Sequence, residues 1–166
     1  TTAQDPGIKV QAEPYLEKKI TKTFQTTKNL VSVVPQIANK TIYATTCYSK
    51  NIQVINGESS HPAYALAQKS TPIDIKATPD GKFMLVTSYN RTFVDVISLA
   101  DEKIIKQIDL TTEAGEIVID KISKKAYVAS PEDSSIYVID LPTMTKKQKI
   151  KIKGSCEKLS LTEDGT

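Results

Sequence analysis

The stretch KATPDGKFMLVTSYNRTFVDVISLADEKIIKQIDL, from Lys76 to Leu110, decides the fold. Short runs of branched and aromatic residues alternate in it with turn signals such as Pro-Asp-Gly and Asp-Glu. Such runs are typical of strands, proline presets φ for a turn, and glycine takes a positive φ at little cost. Together with the run before it, the stretch predicts four strands. They are Ile73–Ala77, Phe83–Ser88, Phe93–Ser98 and Lys103–Leu110.

The same pattern recurs with a period of 42 residues. MLVTSYNRTFVDVISL (Met84–Leu99) aligns without a gap on AYVASPEDSSIYVIDL (Ala126–Leu141), and IYATTCYSKNIQVING (Ile42–Gly57) aligns one period earlier. A regular period of this length is typical of propellers and solenoids. The runs FVDVI and IYVID are apolar on both faces, which fits a sheet packed between two other sheets. The sequence therefore predicts an all-β propeller of four-stranded blades.

The motifs TPDGKFMLVTS…FVDVISL and AYVAS…IYVIDL resemble the YVTN class of β-propeller repeats. The resemblance runs from Leu30 to Gly165. It departs from the class at Ile37–Asn39 and at Ile122–Ser123, where the Pro-Asp-Gly turn is missing, so these two hairpins are expected to differ. The resemblance implies a ring of about seven blades. It also implies a location in the periplasm or outside the cell.

The repeat divides the chain into blades at residues 31–72, 73–114 and 115–156. Residues 1–30 are expected to supply outer strands of a preceding or closing blade, because Leu16–Thr27 aligns with Ala100–Thr112. Residues 157–166 are expected to begin a further blade, truncated after its first strand. A ring of about seven blades needs roughly twice this length. We therefore expect the rest of the propeller to come from further sequence, or alternatively from a second chain.

The composition is that of an ordinary globular protein. The 166 residues carry a net charge of +3, with 39% hydrophobic and 25% charged residues. Arg91 is the only arginine, so the chain has little capacity for bidentate binding of phosphate groups. Lysines along strand edges usually keep a protein soluble and prevent its edge strands from pairing with other chains. No apolar run reaches the length of a transmembrane helix. We expect no nucleic-acid partner and no membrane span.

One position of the repeat, at the start of each inner strand, carries a polar or charged residue in every unit. These residues are Ser32, Asp74, Glu116 and Lys158. In a ring they converge on the mouth of the central channel, where two carboxylates and a lysine suit a cation, a polar ligand or a partner protein. The alternative is a set of solvated rim charges. Neighbouring blades hold such groups too far apart for general acid–base catalysis, unless a substrate spans them. We predict binding roles for Asp74, Glu116 and Lys158, and no catalytic residue.

The loop Tyr89–Thr92 joins the second and third strands of a blade and therefore lies on the same face as the channel mouth in propeller geometry. Tyr89 and Arg91 belong to the residue types that are enriched at protein interfaces. We predict that both contribute to binding. The alternative is that their exposure in a loop is incidental.

The sequence predicts no metal site and no cofactor. His61 is the only histidine and is interpreted as a polar residue in or after the turn between a third and a fourth strand. Cys47 and Cys156 fall in distant blades, so we expect them to be unpaired or bonded to cysteines in further sequence. Haem-attachment motifs, glycine-rich phosphate loops and nucleophile elbows are absent from the sequence.

These observations leave two main hypotheses for function. The first is a non-catalytic binding scaffold, a rigid disc whose loops meet a protein, a glycan or a small ligand. The second, which rests on the resemblance, is the propeller subunit of an extracytoplasmic redox enzyme. In that amine-dehydrogenase-like assembly, a partner subunit carries the cofactor. A hydrolase or lyase that uses residues outside this chain is a third possibility, which nothing in the sequence tests.

Overall fold

The structure, a computed structural model, describes residues 30–36, 40–46, 51–56, 59–65, 71–122 and 124–162. In this part of the chain, all of the regular structure is β-strand. The strands form three four-stranded antiparallel sheets, and within each sheet every strand pairs with the next one along the chain. The strands are β1 (Leu30–Gln36), β2 (Thr41–Thr46), β3 (Asn51–Asn56), β4 (Ser59–Ala65), β5 (Pro72–Ala77), β6 (Phe83–Ser88), β7 (Phe93–Ser98), β8 (Lys103–Asp109), β9 (Ile117–Asp120), β10 (Lys125–Ser130), β11 (Ser135–Asp140) and β12 (Thr145–Lys151).

Each sheet is one blade of a propeller, with its inner strand first and its outer strand last in the chain. Blade 1 consists of β1–β4, blade 2 of β5–β8 and blade 3 of β9–β12. The inner strands contact one another in order, β1 with β5 and β5 with β9. In blade 2 the predicted second and third strands coincide with β6 and β7, and the other two differ from β5 and β8 by one residue at one end. The predicted all-β propeller is confirmed.

Blade 2 is buried on both faces. Every residue of β6 and of β7 after the first is buried, including the apolar run of FVDVI. Met84, Val86 and Ile97 pack towards blade 1, whereas Leu85 and Val96 belong to the cluster shared with blade 3. Burying a side chain of this size contributes about 1.5–3 kcal/mol, so packing between blades is a major source of stability. For FVDVI this confirms that the two-faced apolar run belongs to a sheet packed between two other sheets.

The Pro-Asp-Gly motif of blade 2 forms the expected tight turn between β5 and β6. Gly81 has φ 69°, a conformation that favours glycine. The Thr78 hydroxyl donates to Asp80 Oδ1 at 2.6 Å, and the Gly81 N–H donates to the Thr78 carbonyl at 2.9 Å. These bonds explain why the motif holds one conformation.

The corresponding hairpin of blade 3, between β9 and β10, lacks this motif and differs as predicted. Asp120 closes it, because its Oδ1 accepts the Ile122 N–H at 2.8 Å. Lys124 takes the positive φ of 54° there. The other predicted departure, Ile37–Asn39, lies outside the described residues.

The predictions for the chain ends stay predictions. Residues 1–29 lie outside the described part, and residues 155–162 have irregular backbone. The blade boundaries, the further blade from residue 157 and the number of blades in a ring are therefore not tested. No helix among the described residues has the length and apolar character needed to cross a membrane.

Candidate functional site

A cleft of about 540 Å³ opens where the inner strands of the three blades begin. We call it the mouth cleft. Its lining includes the repeat position at the start of the inner strands, namely Ser32, Asp74, Glu116 and Lys158, together with Tyr89 from the β6–β7 loop. Pro131 and Glu132 from the β10–β11 loop also line it, so loops and inner-strand starts share one face. Of the five predicted binding residues, only Arg91 lies outside the lining.

Asp74 joins all three blades through one buried carboxylate, which is 7% exposed. Its Oδ1 accepts the Ser32 hydroxyl of blade 1 at 3.0 Å, and its Oδ2 accepts the Ile117 N–H of blade 3 at 3.0 Å. Within blade 2, the Ile75 N–H donates at 2.9 Å and Lys76 Nζ forms an ion pair at 2.9 Å. Burying a charge is costly unless it is paired and hydrogen-bonded, and here both conditions are met. The carboxylate is thus a connector between blades.

Glu116 makes the equivalent contact 42 residues further along the chain. Its Oε2 accepts the Leu159 N–H at 2.6 Å, with the same separation of 43 residues as between Asp74 and Ile117. We call this bond the latch: a carboxylate at or just before an inner strand that accepts the N–H of the residue 43 positions later. Lys158 follows in the repeat, but an ammonium group has only donors and cannot form this latch. Its Nζ instead lies 3.6 Å from Glu116 Oε1.

The latches decide which side chains of the mouth cleft are available to contact a ligand. Asp74 is saturated with protein partners, whereas the Lys158 side chain is 87% exposed and Tyr89 is 59% exposed. The exposed groups are the ones available for direct contact, and the carboxylates hold the cleft in shape. The predicted binding roles of all these residues stay predictions.

Two glutamates that the sequence analysis missed hold the walls of the cleft together. Glu113 Oε1 accepts the Asn90 N–H at 2.9 Å, and the Glu113 N–H donates to Glu132 Oε2 at 3.3 Å. These bonds connect the β6–β7 loop, the β8–β9 connection and the β10–β11 loop. Neither glutamate has a carboxylate at the equivalent position of another blade, so the repeat gave no signal for them. Their position in loops of the mouth face was the available clue.

Arg91 packs at the base of its loop instead of facing the cleft. Its guanidinium carbon lies 5.8 Å from the centre of the Phe93 ring, and its carbonyl accepts the Ala114 N–H at 3.1 Å. In the strand that follows this loop, β7, Asp95 is 1% exposed and accepts a hydrogen bond from Gln107 Nε2 at 2.8 Å. Burial raises the pKa of Asp95, although the Gln107 bond and the Arg91 charge act in the opposite direction.

A second polar cluster anchors the β10–β11 loop. Asp133 Oδ2 forms an ion pair with Lys149 at 2.5 Å and accepts the Tyr137 hydroxyl at 3.1 Å. Burial alone would raise the pKa of Asp133, but the hydrogen bonds from Lys149 and Tyr137 lower it to about 2. The carboxylate is therefore ionised over the neutral and mildly acidic range.

The sequence holds one histidine and two cysteines. The backbone of His61 lies within β4 opposite Val54, because the fourth strand already begins at Ser59, so His61 is not a turn residue. Cys156 is a buried free thiol whose Sγ lies 3.7 Å from the Lys158 carbonyl oxygen, and Cys47 lies outside the described residues. Within the described ranges, no group of three His, Cys, Asp or Glu side chains is placed to hold a metal ion.

Comparison with solved structures identifies the fold. The structure of Kuenenia stuttgartiensis hydrazine synthase matches 89% of this chain with a TM-score of 0.71 and 21% identity, covering 43% of that chain. Apo AztD from Citrobacter koseri matches 74% of this chain with a TM-score of 0.60 and 18% identity, covering 34% of that chain. The fold is that of a β-propeller. At these identities the likeness shows the fold alone, and this chain spans less than half of either structure. No protein-family model and no curated protein matches the chain.

Proposed function

We propose that this chain is part of a YVTN-type propeller that works outside the cytoplasm as a non-catalytic binding module. A protein or a small ligand would dock at the mouth cleft. The observation that carries the proposal is the cleft itself, because all three blades build it and Asp74 ties them together beneath it. Its volume of about 540 Å³ lies in the range of about 300–1,000 Å³ that is typical of ligand sites.

Within the proposed site, Tyr89 supplies an exposed aromatic wall and Lys158 an exposed positive charge. Tyrosine gives a large contact area at a small cost in conformational entropy, which suits a binding anchor. Asp74 and Glu116 act as positioning residues, since their oxygens accept the backbone N–H groups of Ile117 and Leu159. The site would thus combine a rigid floor with adaptable rim contacts.

Site-specific photocross-linking tests this proposal. A photoreactive amino acid replaces Tyr89 in one version of the protein, and in a matched version it replaces Ile122. Ile122 is 74% exposed and lies in the β9–β10 turn, at the other end of the blade. Both versions are expressed in the source cells. One defined adduct from position 89, absent from position 122, supports docking at the mouth cleft. Equal adducts from both positions, or none from position 89, contradict it.

Small ligands are tested with a thermal-shift panel of sugars, amino acids, polyamines and divalent cations. We expect at least one class to raise the Tm of the intact chain, because a ligand stabilises the folded state that binds it. Tyr89→Ala should abolish that shift, while Ile122→Ala should keep it. A shift that survives Tyr89→Ala places the ligand elsewhere.

A second candidate is the propeller subunit of an extracytoplasmic redox enzyme with its cofactor in a partner subunit. The likeness to hydrazine synthase supports this candidate at the level of fold only. A visible absorbance band that co-purifies with the native protein would favour the redox assembly. A colourless protein that purifies alone would favour the binding module.

A further inference from the structure

The outer strand of blade 3 is the most basic part of the chain. Residues 145–153 hold five lysines and no acidic residue, in a chain whose net charge is +3, so the remaining residues are net −2. All five lysines are exposed. Charge of one sign concentrated on one strand makes a local positive field that favours an anionic partner.

A β-bulge brings two of these lysines, Lys146 and Lys149, to one face of β12. The register shifts opposite Val138 and Ile139, and as a result Lys146 and Lys149 both lie over the Tyr137 ring, at 5.5 and 5.3 Å from its centre. From blade 2, Lys106 Nζ reaches the Thr143 carbonyl at 3.4 Å. Lysines from β8 and β12 therefore lie near the boundary between blades 2 and 3.

The backbone of β12 offers a second, independent feature. Among the described strands β12 pairs with β11 alone, so its other edge has backbone N–H and C=O groups free of strand partners. Ile150, in the same strand, is 36% exposed. An open edge of this kind accepts an extended polypeptide, which adds as a further strand and gains main-chain hydrogen bonds.

Protection against edge pairing explains lysines on outer strands in general, but it does not explain their number here. The equivalent residues 103–111 of blade 2 hold two lysines and an aspartate, and residues 61–69 hold one lysine. The need for protection is the same in each blade, whereas the basic charge is concentrated in β12. The excess indicates a partner.

We propose that the free edge of β12 docks an extended, acidic segment of a partner protein as a fifth strand of blade 3. The segment's backbone would pair with β12, and its carboxylates would lie against the flanking lysines. This surface is separate from the mouth cleft and does not depend on the function proposed for that cleft.

Fluorescence anisotropy with a labelled peptide of about 12 alternating Glu and Val residues tests the proposal on the intact chain. We expect saturable binding that weakens with added salt, because exposed ion pairs are screened. The triple variant Lys146→Gln, Lys147→Gln, Lys153→Gln should bind about tenfold more weakly, since it removes three exposed positive charges that would pair with the carboxylates of the peptide. The variant spares Lys149 and Lys151, which bond to Asp133.

The matched control removes three exposed lysines from the β9–β10 hairpin, through Lys121→Gln, Lys124→Gln and Lys125→Gln. It should bind the peptide as the unmodified chain does, and circular dichroism checks that both triple variants are folded. A peptide N-methylated at alternate residues should lose binding, because it cannot complete the strand pairing. Equal weakening in both triple variants, or full binding of the N-methylated peptide, would overturn the proposal. Absence of binding by the Glu-Val peptide would overturn it as well.

Discussion

The charged residues at the inner-strand starts and those on the outer strands differ in their environment. At the mouth, the Asp74 carboxylate is buried and accepts hydrogen bonds from protein groups. Two of these bonds, from Ser32 and Ile117, cross blade boundaries. On β12 the lysines are exposed and lie on the surface of one blade. Blades crowd together near the axis of a propeller and diverge towards its rim. A charged side chain near the axis must therefore be paired with groups of the neighbouring blade, whereas a charged side chain at the rim stays hydrated. Inner charges should control stability, and outer charges should control association.

The largest effect is expected from Asp74→Ala. The change leaves the Ile117 N–H and Lys76 without their carboxylate, and removing one partner of a buried charged pair costs about 3 kcal/mol or more. Urea unfolding measures the loss. Glu102→Ala, at an exposed turn position, is the control and should change stability by less than about 0.5 kcal/mol. Equal effects of the two substitutions would remove the contrast between mouth and surface.

Asp95→Asn should stabilise the protein by about 1 kcal/mol at pH 7, because it removes a buried charge and keeps an acceptor for Gln107. Burial raises the folded-state pKa of Asp95 above its ordinary value of 3.8. The unmodified protein should therefore gain stability from this group as the pH falls through that raised pKa. The variant should lack that gain. Thermal unfolding at a series of pH values checks both points, and a loss of stability at pH 7 would contradict the first.

Glu116→Gln should cost about 1 kcal/mol, less than Asp74→Ala. The amide oxygen still accepts the Leu159 N–H, and the side chain is partly exposed at 22%. The same urea experiment measures it. A loss as large as that of Asp74→Ala would show that latch strength does not follow burial.

Asp133 gives a distinct acid response. Hydrogen bonds hold its pKa at about 2, below the ordinary value of 3.8, so its contribution to stability is present above about pH 4 and is lost as the pH falls towards 2. Asp133→Asn should flatten this part of the stability profile. Lys149→Gln should also reduce the loss of stability between about pH 4 and pH 2, because Lys149 donates to that carboxylate. An unchanged profile in both variants would contradict the assignment.

The smallest effect on stability is expected at the rim. Lys147→Gln with Lys153→Gln should change the free energy of unfolding by less than about 0.5 kcal/mol, since both side chains are exposed. Urea unfolding checks this against Asp74→Ala. A loss above about 1 kcal/mol would mean that the rim lysines also hold the fold.

The sequence predicted the strands of blade 2 and the two-faced burial of FVDVI, because period and turn chemistry are local properties of the chain. It also placed Asp74 and Glu116 at equivalent positions near the mouth. It could not predict that their oxygens accept the N–H groups of Ile117 and Leu159, since such contacts depend on how segments 43 residues apart pack together. The grouping of lysines around Tyr137 was hidden for a similar reason, because a single bulge decides which side chains share a face.

Amide hydrogen exchange at Ile117 tests the central claim most directly. The Ile117 N–H donates to Asp74 across the blade boundary, while the nearby Ala129 N–H donates to the Glu116 carbonyl within blade 3. The latch predicts that Asp74→Ala accelerates exchange at Ile117 at least tenfold more than at Ala129, because only the first amide loses its acceptor. Equal acceleration at the two amides, or none at Ile117, would contradict a carboxylate latch between blades.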